Sequence, residues 1–246
     1  MYNALYSMSE IKFLGGLLGL SGVSTVLWWS VAALLVIAAY FLGSINFAIY
    51  ISKAAYHKDI REYGSKNAGM TNMMRTFGTK AAALVLFGDI MKAIVSVALS
   101  MLLCGIDIAY VAGIFCIIGH CFPVYYKFKG GKGFATAAGM VLAAEPLVFL
   151  FCLIIFLLVV LATKFISAGS IMSALFFPLI LNMVHRAPFG ISLTMAICSV
   201  FLALFILFNH RENIARILSG TEKKFSFKKS VPSDAEKESK KDEKDS

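Results

Sequence analysis

The feature that most constrains this chain is a set of apolar runs close to the length a helix needs to cross a bilayer. They cover residues 27–52, 81–103, 108–125, 134–144, 147–163, 169–183 and 189–208. A hydrocarbon core takes roughly 20 helical residues to span. Inside it no water satisfies backbone N–H and C=O groups, so runs of this kind fold as helices. The pattern predicts an all-α polytopic integral membrane protein with about seven membrane helices. The run 134–144 reaches only about 16 Å at 1.5 Å per residue, so it is expected to be short or re-entrant. Glu145-Pro146 ends it, because proline lacks an N–H and restricts the residue before it.

Composition agrees. The chain is 59% hydrophobic and 15% charged, where a soluble domain carries about 25% charged residues. The net charge of +9 does not point to nucleic acid, because the basic residues lie between apolar runs and in the tail. That distribution orients membrane helices. Seven spans put 53–80, 127–132, Lys164 and everything after His210 on one face, with most of the lysine and arginine. That face is expected to be cytoplasmic, with the N-terminus outside and the C-terminus inside. The five cysteines form no C-x-x-C pair, so they read as small apolar core residues rather than metal ligands or disulfides.

Three units follow. Residues 1–26 form an N-terminal extension, either interfacial or a loose arm; it lacks the basic start and compact apolar core of a cleaved signal peptide. Residues 27–222 form the membrane domain. Residues 223–246, rich in Lys, Glu, Asp and Ser, are expected to be a disordered cytoplasmic tail. Lys223, Lys224, Lys228 and Lys229 are placed to touch anionic headgroups or simply to stay solvated.

Three polar stretches are stranded among the apolar ones: GSKNAGMTNMMRTFG at 64–78, KFKGGKGFATAAG at 127–139 and HRENIARILSGTE at 210–222. All three fall on the predicted cytoplasmic face. In the first, glycines allow successive N–H groups to turn toward one anion. Ser65, Asn67, Thr71 and Asn72 add side-chain donors, and Arg75 offers a two-pronged fork to phosphate. An ordinary polar loop is the bland alternative. The second stretch places Lys129 and Lys132 around Gly130 and Gly131. It is not a nucleotide-binding P-loop, since Gly133, followed by Phe134, stands after Gly131-Lys132 where that motif needs Ser or Thr. What remains is two lysines on flexible backbone beside a helix N-terminus, which attracts anions. A loop that merely orients the membrane helices needs lysines but has no need of three glycines.

In the third stretch His210, Asn213 and Arg216 are spaced three apart, on one face of a continuing helix. Ser167 and Ser170 read first as caps of the sixth helix. Asp89 and Lys92 (i, i+3) are expected to pair inside the second run, where ionisable groups are costly. His120 has no partner at metal-ligand spacing and reads as a hydrogen-bonded histidine near the interface.

These motifs resemble those of the bacterial acyl-phosphate:glycerol-3-phosphate acyltransferase family, the PlsY type. The likeness runs from Gly43-Ser44 through the Gly64–Gly78 stretch, Gly119-His120 with Phe122-Pro123, and Phe128–Thr136, to His210–Glu222. It implies transfer of an acyl group from acyl phosphate to the sn-1 hydroxyl of glycerol-3-phosphate, giving lysophosphatidic acid and phosphate in the first step of phospholipid synthesis. It also implies a multi-pass plasma-membrane enzyme with its site facing the cytoplasm. Ser65, Arg75, Lys132, His210 and Asn213 would be catalytic. Asn67, Gly69, Thr71, Asn72, Lys129, Gly130, Gly131, Ser167, Ser170 and Arg211 would hold substrate and phosphate. No cofactor, metal or nucleic acid is expected; the oligomeric state is left open, and a monomer suffices. The chain departs from the family pattern at Lys66 and Ala93, where glycine is usual, at Met70 for alanine, and at Asn46 for proline. Lys66 is expected to add a charge beside the phosphate, and Met70 to crowd the pocket. The main competing reading of the residues is a transporter of a phosphorylated solute. Polar groups gathered at one membrane face argue against it.

Overall fold

The computed structural model describes residues 25–185 and 190–225. Residues 1–24 of the expected N-terminal extension and nearly all of the expected tail lie outside them, as does the loop residue Arg186; Thr25 and Val26, expected in the extension, open the first helix. Among the described residues the fold is all-helical: α1 (Thr25–Gly43), α2 (Phe47–Tyr56), α3 (Met70–Phe77), α4 (Thr79–Cys121), α5 (Phe134–Ala144), α6 (Pro146–Thr163), α7 (Ile166–Val184), α8 (Leu193–Asn209) and α9 (Arg211–Leu218). Four helical segments are long and apolar enough to cross a membrane: Thr25–Tyr56, Thr79–Tyr126, Pro146–Thr163 and Ile166–Val184. A fifth is added if α8 and α9, bent by 58°, count as one span. Leu84, Phe87, Leu158, Leu161 and Leu204 point outward and exposed, as lipid-facing side chains do.

The long helix α4 is two antiparallel arms, 79–104 and 106–121. Gly105, at φ 83° and ψ −178°, occupies a region only glycine enters without strain. The reversal is visible in what meets: Lys92 Nζ lies 2.9 Å from His120 Nδ1 although 28 residues separate them. In a straight helix those atoms would be about 40 Å apart. Further up the same seam Ala93 packs with Ala112 and Cys116.

The first apolar run, expected as one helix over 27–52, is broken at residues 44–46. Asn46 makes the break: its Oδ1 accepts from Ile49 N at 3.0 Å and caps α2, while its Nδ2 donates to Ala68 O at 3.2 Å. Asparagine therefore does at this position what proline, lacking a donor, cannot. Above the break α1 lies directly on the second arm of α4. A Cβ at Gly43 would come 2.1 Å from Cys116 O, and one at Gly119 2.2 Å from Tyr40 O. Only small residues allow backbones this close, the usual solution where lipid removes the hydrophobic drive.

Ser167 and Ser170 do not cap α7, whose N-cap is Phe165. The chain also bends at His210 instead of continuing as one helix. The His210 N–H is shared between the Ile206 and Leu207 carbonyls, closing α8 before α9 starts. The short run 134–144 forms α5 with its start at the glycine loop. These breaks at 44–46, 122–133 and 210 all deliver polar backbone to the same end of the helices.

Candidate functional site

A cavity of about 640 Å³ opens where the three polar stretches converge. Its lower wall is apolar, with Phe134, Val141, Phe149, Cys152, Phe156 and Phe177 from α5, α6 and α7. Its mouth is polar and carries Lys66, Arg75, Lys132, Arg211, Arg216 and Lys223 against Asp89, Glu212 and Glu222. Asp89 is already paired with Lys92, their charged atoms 2.8 Å apart. The excess of fixed cations over a greasy pocket suits an anion carrying an apolar chain.

The loop before α3 is held by one side chain. Asn72 is buried; its Oδ1 accepts from Ser65 N at 2.9 Å, and its Nδ2 faces the carbonyls of Ile60 (3.2 Å), Tyr63 (2.9 Å) and Asn67 (3.0 Å). Read from sequence as a phosphate donor, Asn72 has its amide committed to backbone, and it positions Ser65 and Asn67 at the cavity. Lys66 adopts φ 59° in this loop, a left-handed conformation in which a glycine costs nothing and a lysine is strained. Met70 lines the cavity and also packs on the cluster around Ile49 and Val85. Ala93 is fully buried at the hairpin seam, which has room for its methyl.

The glycine loop folds onto His120. Gly130 N donates to Cys121 O (3.0 Å) and Gly131 N to His120 O (3.2 Å). Side chains are excluded there: a Cβ on Gly130 would sit 2.0 Å from His120 O, and one on Gly131 2.2 Å from His120 Nε2. The turn sends Lys132 inward, where its Nζ meets Asn213 Oδ1. Lys129 stays exposed outside the lining; its carbonyl and that of Tyr126 are held by Arg61 Nη1 at 3.2 and 2.9 Å. Burial, with Arg216 nearby, lowers the Lys132 pKa from the ordinary lysine value. Burial does the same to Arg75, partly opposed by Glu222. Both cations line the cavity mouth, where an anion would meet them.

Glu222 organises the third stretch. Its Oε1 accepts from Ser167 Oγ and Asn213 Nδ2, both at 2.7 Å, and its Oε2 from Arg216 Nε at 2.7 Å. Burial pushes the carboxyl up, but these three donors outweigh it and hold it below the ordinary 4.5. Ser167 therefore joins α7 to the end of α9. Ser170 bonds its own helix at Ile166 O. Arg211 donates to Phe208 O and stacks on the Phe208 ring, its guanidinium carbon 4.4 Å from the centroid. His210 is buried, with Nδ1 2.8 Å from Ile206 O. A carbonyl only accepts, so Nδ1 carries the hydrogen and the neutral ring keeps its lone pair on Nε2.

All the residues expected to be catalytic or to hold substrate and phosphate line this cavity except Lys129. Sequence reasoning missed Glu222 as a site residue and His120 as a lining one. For Glu222 a signal existed: it is the acidic residue closing a stretch dominated by donors.

Residues 33–220 match the family model described as glycerol-3-phosphate acyltransferase. The chain belongs to that family. Relatives named glycerol-3-phosphate acyltransferase include one from Thermoanaerobacter sp. (strain X514), 42% identical over 200 residues, covering 81% of this chain and 98% of the relative. Another, from Bacillus subtilis (strain 168), is 40% identical over 193 residues, covering 78% and 96%. Crystal structures of PlsY (YgiH), an integral membrane glycerol 3-phosphate acyltransferase, superpose on the fold. Its glycerol 3-phosphate form gives a TM-score of 0.75 at 36% identity, covering 79% of this chain and 96% of that one. Its lysophosphatidic acid form gives 0.72 at 35%, covering 80% and 96%.

Proposed function

We propose that this family member transfers a fatty acyl group from acyl phosphate to the sn-1 hydroxyl of glycerol-3-phosphate, releasing lysophosphatidic acid and phosphate. The observation that carries the reading is the two-natured cavity: a cationic mouth fit for phosphate joined to an apolar wall fit for an acyl chain. The glycerol 3-phosphate and lysophosphatidic acid forms of the one relative, PlsY (YgiH), support the same substrate and product here. In this reading the protein is a plasma-membrane enzyme of about seven spans, and the charge asymmetry of the loops supports a cavity facing the cytoplasm. Residues 27–222 would form the catalytic unit and 223–246 a cytoplasmic tail.

Acyl phosphate is a mixed anhydride with a good leaving group, so no covalent acyl-protein is needed. The sn-1 oxygen bonds to the acyl carbon, the acyl carbon–phosphate oxygen bond breaks, and phosphate leaves with the electron pair. The hydroxyl proton passes to the departing phosphate or to Nε2 of His210. Arg75 and Lys132 hold the anions, Asn213 orients Lys132, and Ser65 is held at the donor end. Orientation and charge stabilisation supply most of the acceleration.

The test is phosphate release from acyl phosphate by the purified protein, with and without glycerol-3-phosphate. Wild type is expected to depend on glycerol-3-phosphate, and Arg75→Ala to lose roughly 10²–10³-fold in turnover. Solute uptake into liposomes with no phosphate release would refute the reading. A labelled protein trapped by rapid quench with labelled acyl phosphate would rule out direct attack.

A further inference from the structure

We infer that His120 is a neutral hydrogen-bond donor to a phosphate oxygen of the bound substrate, delivered through Nε2 beside Gly131. The inference rests on the acyl-transfer reading for its role in turnover, though not for its phosphate contact.

The argument starts at the other ring nitrogen. His120 Nδ1 lies 2.9 Å from Lys92 Nζ. An ammonium group has only donors, so a contact this short requires a lone pair on Nδ1. The Lys92 ammonium donates to Gly43 O (3.0 Å) and Ile45 O (2.8 Å), leaving its third hydrogen for Nδ1, and Asp89 Oδ1 sits 2.8 Å away as its ion-pair partner. Asp89 Oδ1 also lies 3.3 Å from Nδ1 but forms no hydrogen bond there, so the nearer lysine sets the tautomer. A doubly protonated ring would place two cations at hydrogen-bond distance. The neutral ring therefore carries its hydrogen on Nε2.

That N–H has no acceptor among the described residues, although His120 is only 3% exposed. It is aimed at the glycine loop, where the missing Gly131 side chain leaves it uncovered, and His120 lines the cavity. The Nε2–H thus opens on the cavity, and the anion expected beside Lys132 supplies it an acceptor. The arrangement is the reverse of His210, whose Nδ1 carries the hydrogen and donates to Ile206 O. One cavity thus holds two histidines preset in opposite tautomers, one presenting a hydrogen and the other a lone pair. Asp89 and Lys92 are positioning residues for the first.

The experiment uses the full chain in detergent with its four histidines labelled with nitrogen-15, His120 being assigned by the signal lost in His120→Asn. The expected spectrum has His120 protonated at Nε2 alone, and inorganic phosphate shifts that N–H resonance. A ring protonated at Nδ1, or an Nε2–H unmoved by saturating phosphate, overturns the inference. Kinetics add a readout that packing alone would not move. Asn at 120 keeps an acceptor for Lys92 without the outer donor, whereas Gln can present an amide N–H near Nε2. His120→Asn is expected to lower kcat roughly 10²-fold, with His120→Gln recovering at least part of it; equal loss in two folded variants overturns the donor role. If both variants unfold, the phosphate titration of the unmutated protein decides. Wild type without glycerol-3-phosphate-dependent phosphate release would sink the acyl-transfer reading and leave the titration valid. Normal turnover with an unmoved Nε2–H would do the opposite.

Discussion

Replacing Asn72 tests whether the first loop is shaped by the protein or by its ligand. The side chain makes one acceptor bond, to Ser65 N, and its Nδ2 faces three carbonyls with only two hydrogens to share. Counting three effective hydrogen bonds at about 1 kcal/mol each gives about 3 kcal/mol for Asn72→Ala. That corresponds to roughly a 10²-fold increase in the opening equilibrium of residues 60–67. Asn72→Asp is the sharper variant. It keeps the Oδ1 acceptor and shape but turns a carboxylate oxygen toward three carbonyl oxygens, so the loop should open further than in the alanine variant. Amide hydrogen exchange over 60–67, measured in detergent without substrate, reads the opening directly. Both variants should exchange faster there while the hairpin arms of α4 stay protected. Unchanged exchange accompanied by a raised KM alone would refute the positioning role and return Asn72 to the substrate ligands.

Lys66→Gly should raise the thermal midpoint, since lysine at φ 59° carries about 1 kcal/mol of left-handed strain; a lowered midpoint would mean its charge matters more than its backbone. Lys92→Met should cost about 3–5 kcal/mol by leaving Asp89 buried and unpaired. Adding Asp89→Asn should recover part of that in a denaturation series, and strict additivity of the two losses would refute the pairing. Glu222 makes a pH prediction. Its carboxyl is held below 4.5 in the fold, so it contributes stability present above 4.5 and lost as pH falls through its folded value. Wild type and Glu222→Gln, separated in thermal midpoint at neutral pH, should converge on acidification; curves that stay parallel would exclude the linkage.

The apolar runs and the three polar stretches were legible in the sequence because both signals are local. A run of twenty apolar residues declares a helix whatever surrounds it, and glycines among amides and lysines declare an anion loop. The reversal at Gly105, the short run 134–144 and the convergence of the stretches on one face followed from the same pattern. The break at Asn46 was hidden, because its cause is a capping bond together with a contact to Ala68, 22 residues away.

What only the tertiary structure decided was the partner of each polar side chain. Lys129 and Lys132 are equivalent in the sequence; the turn of Gly130 and Gly131 onto His120 sends one inward and leaves the other outside. Asn72 looks like a ligand until its amide is found occupied by three carbonyls. Ser167 looks like a helix cap until Glu222, 55 residues on, claims its hydroxyl. His120 reads as a hydrogen-bonded histidine, but only the hairpin names Lys92 as the partner of its inner nitrogen and leaves the outer one facing the cavity. In each case the role depends on a hydrogen bond between distant segments. Helix-forming periodicity is written residue by residue, but a donor's choice of acceptor is fixed only when the chain packs.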